Sequence, residues 1–272
     1  MTAIDVRAGA ATHPGLRRRV NEDSHLAEYP LFLVADGMGG HDAGAAASAA
    51  VVAEFRALVG RDPVGIDEMR AALSRARVAV ERIGHAGRAA GTTLSGVAIT
   101  EVAGHGYWLA VNVGDSRTYR YADGELEQIS IDHSVVQELI DAGELTGEAA
   151  DRDTRRNEIT RAIGAGSGGD ADFWLLAAEA GDRILVCSDG LSGEVPDERI
   201  AGILREVADP QDAATRLVHE AMLYGGRDNI TAVVVDAVRV AGQDDGDDTS
   251  PAAGSSNADE DTRPRAAAGG DA

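Results

Sequence analysis

Apolar residues along the chain follow two periods. Continuous or alternating runs rich in Val, Ile, Leu and Thr, bounded by turn residues, predict strands at 31–35, 92–100, 107–113, 117–121, 183–187 and 230–238. Apolar positions recurring at three and four residues predict helices at 43–58, 66–83, 135–142, 197–207 and 211–224. In the second of these, Met69, Leu73, Ala76, Val80 and Ile83 form one apolar face. Asp197, just after Pro196, is expected to cap the fourth. Strand clusters follow one another without intervening helices, so regular βαβ alternation is absent. The pattern favours an α+β fold of antiparallel sheets with helices packed outside.

The last segment changes the picture. Residues 241–272 contain no Leu, Ile, Val, Phe, Tyr or Trp and carry a net charge of −6 out of the chain's −21. Such a segment cannot offset its ordering entropy by burial, and it is expected to be a disordered acidic tail after a domain spanning 1–240. Within that domain, the stretch of about 141–158 is polar and weakly patterned, and is expected to be a surface excursion. A charge of −21 on 272 residues argues against nucleic-acid binding and against docking on anionic lipid. No run of about 18 apolar residues and no secretory signal is visible, and one cysteine, Cys187, excludes an internal disulfide. The expectation is a cytoplasmic monomer.

Candidate chemistry lies at the strand ends. The run Leu31-Phe32-Leu33-Val34-Ala35 leads straight into Asp36-Gly37-Met38-Gly39-Gly40-His41. Gly37 and Gly39 would let backbone approach an ion or a phosphate. A dinucleotide fingerprint is excluded because Asp42 stands where its third glycine would be, and no Gly-Lys-Ser/Thr follows for a phosphate loop. The same grammar recurs at Ser188-Asp189-Gly190, at Gly114-Asp115-Ser116 and, before the last strand, at Arg227-Asp228-Asn229; Asn21-Glu22-Asp23 precedes a strand-like 24–28. Any one Asp-Gly pair reads equally as a turn. Several converging carboxylates would need a counter-charge, and oxygen-only donors suit Mg²⁺ or Mn²⁺. With one cysteine and no His-x-x-x-His pair, nothing in the sequence resembles a zinc site.

Taken in order, eight motifs resemble those of the metal-dependent protein phosphatases of type 2C, especially their bacterial single-domain members. They are Gly15-x-x-Arg18-x-x-Asn21-Glu22-Asp23, Asp36-Gly37-Met38-Gly39-Gly40-His41, Gly91-Thr92-Thr93-Leu94, Gly114-Asp115-Ser116-Arg117, Asp132-His133-Ser134, Ile159-Thr160-Arg161-Ala162-Ile163-Gly164, Ser188-Asp189-Gly190 and Arg227-Asp228-Asn229-Ile230-Thr231. The resemblance covers about 5–240. It implies a four-layer αββα sandwich, two mostly antiparallel sheets flanked by helix pairs, with 141–158 as a flap beside the active site. It implies two Mn²⁺ or Mg²⁺ ions: Asp36, Asp189 and Asp228 would hold the first, and Glu22, Asp36 and the Gly37 carbonyl the second. Asp115 with Asp189 would hold a third, weaker ion. Asp23 would steady the attacking water, Arg18 would grip the substrate phosphate, and His41 would protonate the leaving oxygen. Arg17 or Arg19 could also be the gripping residue from the sequence alone, and family register favours Arg18.

The implied activity is metal-dependent hydrolysis of phosphoserine and phosphothreonine in proteins, among them serine/threonine kinases and their substrates. The other readings are a non-catalytic binding module, which would require lost ligands, and a phosphatase specialised for a stress-signalling partner switch. The sequence departs from the family at two places. Asp153 and Thr154 stand where relatives often carry His-Pro in the flap, and Gly193, followed by Glu194, stands where many carry an acid near the third ion. Cys187, in an apolar run, is expected to be buried packing rather than a nucleophile.

Overall fold

A computed structural model describes residues 2–242 apart from 40–41, 85–88, 147–148, 150–152, 156–157 and 168–169. The expected tail lies outside the described residues beyond Gly242. Two five-stranded antiparallel sheets form the centre. One runs in the order β1 (Ile4–His13), β13 (Ile230–Val240), β12 (Arg183–Cys187), β8 (Arg117–Ala122), β9 (Glu125–Gln128). The other runs β11 (Asp172–Ala177), β7 (His105–Val113), β6 (Leu94–Val102), β3 (Leu31–Ala35), β2 (Ser24–Glu28). A small third sheet joins β10 (Ile163–Gly164), β5 (Gly91–Thr92) and β4 (Gly37–Met38).

The continuous apolar runs are explained by burial on both faces. In β3, Phe32 and Val34 point into the inter-sheet core, while Leu31, Leu33 and Ala35 point toward α1 (Asp42–Arg56) and α2 (Ile66–Ile83). In β12, Ile184 and Val186 enter the inter-sheet core with Trp108, Val233 and Val235. Its Leu185 and Cys187 face the other way, against α5 (Asp197–Glu206) and α6 (Pro210–Tyr224). Between these come α3 (Val135–Asp141) and the one-turn α4 (Asp189–Ser192). The result is the expected αββα sandwich. None of the helices among the described residues is long and apolar enough to cross a membrane.

Three differences from the sequence reading have physical causes. The ten-residue β1 is full of Ala and Gly because α6 packs directly on it: a Cβ at Gly9 would lie 2.2 Å from the Gln211 Cα. The expected strand at 92–100 is two strands, broken at Thr93, whose N–H turns to the Asp36 carbonyl at 2.9 Å. Asp197 does not cap α5. Pro196 holds the cap position, and Asp197 in the first turn accepts a hydrogen bond from the Tyr119 hydroxyl.

One buried ion pair joins a sheet to its helical layer. The Arg183 guanidinium meets Asp236 at 2.6 and 2.8 Å and donates to the Leu204, Val207 and Ala208 carbonyls at the end of α5. Removing the carboxylate leaves a buried cation without its counter-charge. Asp236→Ala is therefore expected to lower stability by about 3–5 kcal/mol in urea titrations. Arg205→Ala, at an exposed pair with Glu206, should change it by less than about 1 kcal/mol.

Candidate active site

Register brings the strand-end carboxylates to one end of the sandwich. Ser24 pairs with Ala35, so Asp23 and Asp36 lie at the same edge of their sheet, and Leu94 pairs with Val113, which places the Gly114-Asp115 turn there too. In the other sheet, Cys187 pairs with Ala232 and with Arg117, so Asp189 and Asp228 emerge at the matching edge. Hydrogen bonds then cross between the sheets. Ser188 Oγ and Thr231 Oγ1 both donate to Asp23 Oδ2, at 2.8 and 2.6 Å.

Each backbone around the site is held by a residue that the sequence reading quoted only as part of a motif. The Asp36 carbonyl accepts from the Thr92 hydroxyl and the Thr93 amide, while the Asp36 amide donates to Thr93 Oγ1. Thr93 Oγ1 also lies 2.7 Å from Ser116 Oγ, tying this strand end to the Asp115 turn. His133 Nδ1 accepts from the Gly114 amide at 3.2 Å, which fixes that turn from the other side. Asn229 spans the widest gap: its Oδ1 accepts from the Glu22 amide at 2.8 Å, and its Nδ2 donates to the Pro14 and Val20 carbonyls.

Close packing completes the Glu22 position. Gly37 and Gly44 stand backbone to backbone, with no room for a side chain on either. A Cβ at Gly37 would meet the Gly44 carbonyl at 2.3 Å, and one at Gly44 would meet Glu22 Oε1 at 2.8 Å. The close approach permitted by Gly37 is thus to the first turn of α1, and that of Gly39 is to the Ala89 carbonyl, rather than to an open ligand position. Gly44 escaped the sequence reading because it sits in an alanine-rich helix, and only the tertiary approach of Glu22 reveals its role.

The electrostatics are unfavourable without a cation. Asp23, Asp36, Asp115 and Asp189 are partly open at the crevice, yet protein atoms surround them closely enough for desolvation to dominate. Desolvation first, opposed by the Thr231 and Ser188 hydroxyls and reinforced by neighbouring acids, pushes the Asp23 carboxyl up to about 7. Asp36 is raised well above its ordinary value by burial and then by the charges of Asp23, Asp189 and Asp115. Asp115 is raised by burial and then by Asp189 and Asp132, and Asp189 by burial and then by Asp228. The Cys187 thiol, fully buried, is pushed up to about 12 by desolvation and is inert as a nucleophile.

The donor set fits divalent cations. Glu22 Oε1, Asp23 Oδ1 and Asp189 Oδ1 are buried oxygens with no hydrogen-bond partner among the described residues. All the side-chain donors are hard oxygens, suited to Mg²⁺ or Mn²⁺. The side chains are not drawn into a finished ligand shell: no group of three or more acids, histidines or cysteines among the described residues is spaced as one. A guanidinium partly fills the role instead, with Arg18 Nη2 2.7 Å from Asp228 Oδ2.

Of the sequence-predicted site residues, Arg18, Glu22, Asp23, Asp36, Gly37, Asp115, Asp189 and Asp228 gather at this end; His41 lies outside the described residues. An open cavity of about 620 Å³ leads from Asp115, Asp189 and Asp228 to Val136, Gln137 and Ile140 of α3. The excursion after α3 is closed at its base, where the Val135 amide donates to Glu158 and the Thr160 amide to His133. Asp153 there pairs with Arg155 at 2.8 Å. Glu194 binds the Arg227 amide and guanidinium, steadying the turn that presents Asp228.

A family model described as protein phosphatase 2C matches residues 17–223. The chain is 40% identical over 244 residues to the serine/threonine protein phosphatase PstP of Mycobacterium tuberculosis, covering 86% of this chain and 45% of that protein. The chain thus spans about half the length of that relative. It is 31% identical over 239 residues to the serine/threonine phosphatase stp of Listeria monocytogenes, covering 83% of this chain and 93% of that one. The crystal structure of the PstP catalytic domain in complex with two manganese ions superposes with a TM-score of 0.78 at 37% identity, covering 86% of this chain and 99% of that one.

The raised carboxyls set a pH dependence. The folded chain keeps protons that the unfolded chain has released, so their contribution to stability is complete below the ordinary carboxylate value of 3.8 and is lost as pH rises through about 7. The cation-depleted protein is expected to melt at a lower temperature at about pH 8 than at about pH 5, and Mn²⁺ should raise the midpoint most at the higher pH. A midpoint that rises with pH in chelator would contradict the electrostatic description.

Proposed function

The chain belongs to the protein phosphatase 2C family, and from that membership we propose that it hydrolyses phosphoserine and phosphothreonine in proteins with the help of divalent cations. The observation that carries the reading is the gathering of strand-end carboxylates, three of them with an unpartnered oxygen, and of Arg18 at one end of the sandwich, where Asp115, Asp189 and Asp228 border an open cavity. Asp36, Asp189 and Asp228 would hold one Mn²⁺ or Mg²⁺, and Glu22, Asp36 and the Gly37 carbonyl a second. Asp115 with Asp189 would hold a third more weakly. When bound, such ions supply Lewis acidity to the phosphoryl oxygens and bring the pKa of water toward neutrality.

The chain's own residues do the rest. Asp23 is anchored through Oδ2 by Ser188 and Thr231, which leaves Oδ1 to accept a hydrogen bond from the attacking water. Arg18, half-exposed and already turned into the site, can exchange Asp228 for a phosphate, whose oxygens match the guanidinium fork. The assignment of His41 as proton donor to the leaving serine or threonine oxygen rests on its place in the 36–41 motif. The buried, unionised Cys187 supports direct attack by water over a cysteinyl intermediate.

Residues 1–240 are assigned to the catalytic domain, 141–158 to a flap and 241–272 to an acidic tail. The placement of α3 along the cavity supports the flap. The substrates are phosphorylated proteins, including serine/threonine kinases and their targets, met in the cytoplasm by a monomer. A net charge of −21 is in keeping with protein rather than nucleic-acid partners.

Phosphate release from a phosphothreonine peptide by chelator-stripped protein should appear on adding Mn²⁺. Asp36→Ala is expected to lower kcat by about 100-fold or more. Arg18→Ala should lower kcat/KM by roughly ten- to a hundredfold, with Arg18→Lys recovering only part because it lacks the fork. Wild-type release no greater than that of Asp36→Ala would overturn the reading.

A further inference from the structure

The loop between β1 and β2 presents Leu16, Arg17, Arg18, Arg19 and Val20 as five consecutive exposed residues. It does so in a chain with 46 acidic residues against 25 basic ones, all of the latter arginine. Most arginines among the described residues are committed to a carboxylate, as Arg7, Arg56, Arg75, Arg199 and Arg227 are. Arg18 is committed to Asp228. Its two neighbours form no ion pair or hydrogen bond among the described residues, although the surrounding molecule is rich in possible partners.

The loop is clasped at both ends, so the backbone that carries these two side chains has a defined place. The Leu16 amide donates to the Gly226 carbonyl at 2.7 Å. The Asn229 amide group holds the Pro14 and Val20 carbonyls, at 3.1 and 3.0 Å, while its oxygen holds the Glu22 amide. Gly15 packs so closely on the Asp228 backbone that a Cβ would lie 2.1 Å from its carbonyl oxygen. The three arginines are therefore fixed to the same turn that carries Asp228 and to the same segment that carries Glu22. Uncommitted positive charge thus flanks, in sequence, the arginine that reaches Asp228, on a molecule whose net field repels anions.

We propose that Arg17 and Arg19 are specificity-determining residues that recognise a second anionic group on the substrate segment, either an acidic side chain or a further phosphate near the one being removed. This rests on the phosphatase reading above. With Arg18 on the reacting phosphate, its neighbours are set for charges nearby along the peptide, since an extended segment advances about 3.3–3.6 Å per residue. Carboxylates and phosphates share the planar or tetrahedral oxygen pairs that a guanidinium binds by two hydrogen bonds. Exposed pairs of this kind are individually weak and screened by salt, so the preference should be moderate and salt-sensitive.

The test compares kcat/KM of the Mn²⁺-loaded full chain on phosphothreonine peptides that differ only in their flanks: alanine, glutamate, a second phosphothreonine, or arginine. Wild type is expected to favour the glutamate and doubly phosphorylated peptides over the alanine one by roughly three- to tenfold, and to disfavour the arginine one. The preference should shrink at about 0.5 M salt and disappear in Arg17→Ala/Arg19→Ala, whose melting temperature checks its fold. A gain confined to the doubly phosphorylated peptide identifies phosphate as the preferred anion, and a gain for both identifies charge in general. Turnover blind to the flanks, or a preference that survives the double substitution, overturns the proposal. Absence of turnover on every peptide overturns the phosphatase reading instead.

Discussion

The structure depends on a repulsion. Carboxylates from five strand ends are carried to one edge of the sandwich, where desolvation and mutual charge oppose the ionisation of Asp23, Asp36, Asp115 and Asp189. Three of their oxygens are left without a partner among the described residues. A fold that gathers such groups must hold them by other means, and it does so through the backbone. Thr92, Thr93, Ser188, Asn229 and Thr231 fix the peptide groups and the far side of the acids, so that the remaining oxygens stay free. The contrast with Arg183 and Asp236 is instructive. There the buried charges are paired and the guanidinium makes five hydrogen bonds, to Asp236 and to three carbonyls, which is the arrangement of a structural contact rather than of a binding site.

The layered sandwich is what makes this possible. Strands covered on both faces are stiff platforms, and antiparallel register places their ends opposite one another. Asp36 and Asp189 each follow a five-residue strand that is buried throughout. The flanking helices contribute in a less obvious way. The first turn of α1 presses on Gly37 and Glu22, and only the missing side chain of Gly44 leaves Glu22 its place. The site thus belongs to the packing of whole layers, although its chemistry is carried by a few side chains.

Much of this was legible in the sequence. The strands at 31–35 and 183–187 and the helix at 66–83 were read with their observed bounds, because two-sided burial and a clear apolar face leave unambiguous patterns. The aspartates after those strands were legible for the same reason. Local pattern could not disclose β1, whose small residues answer to the helix above it, or β11, an edge strand with only partial burial. Nor could it disclose Gly44 or Asn229, whose importance arises from contacts with Gly37, Glu22, Pro14 and Val20. The cap of α5 was misplaced by one residue because an acid after proline fits the first turn as well as the cap.

Family membership, the fold and the orphaned oxygens converge on one physical idea: positive charge from bound ions completes an otherwise unstable cluster of acids. Anomalous diffraction from crystals grown with Mn²⁺ tests it most directly. The account predicts two strong peaks among Glu22, Asp36, Asp189 and Asp228, with Arg18 released from Asp228. No manganese at that end of the sandwich, or peaks bound elsewhere with the Arg18–Asp228 pair intact, would contradict it.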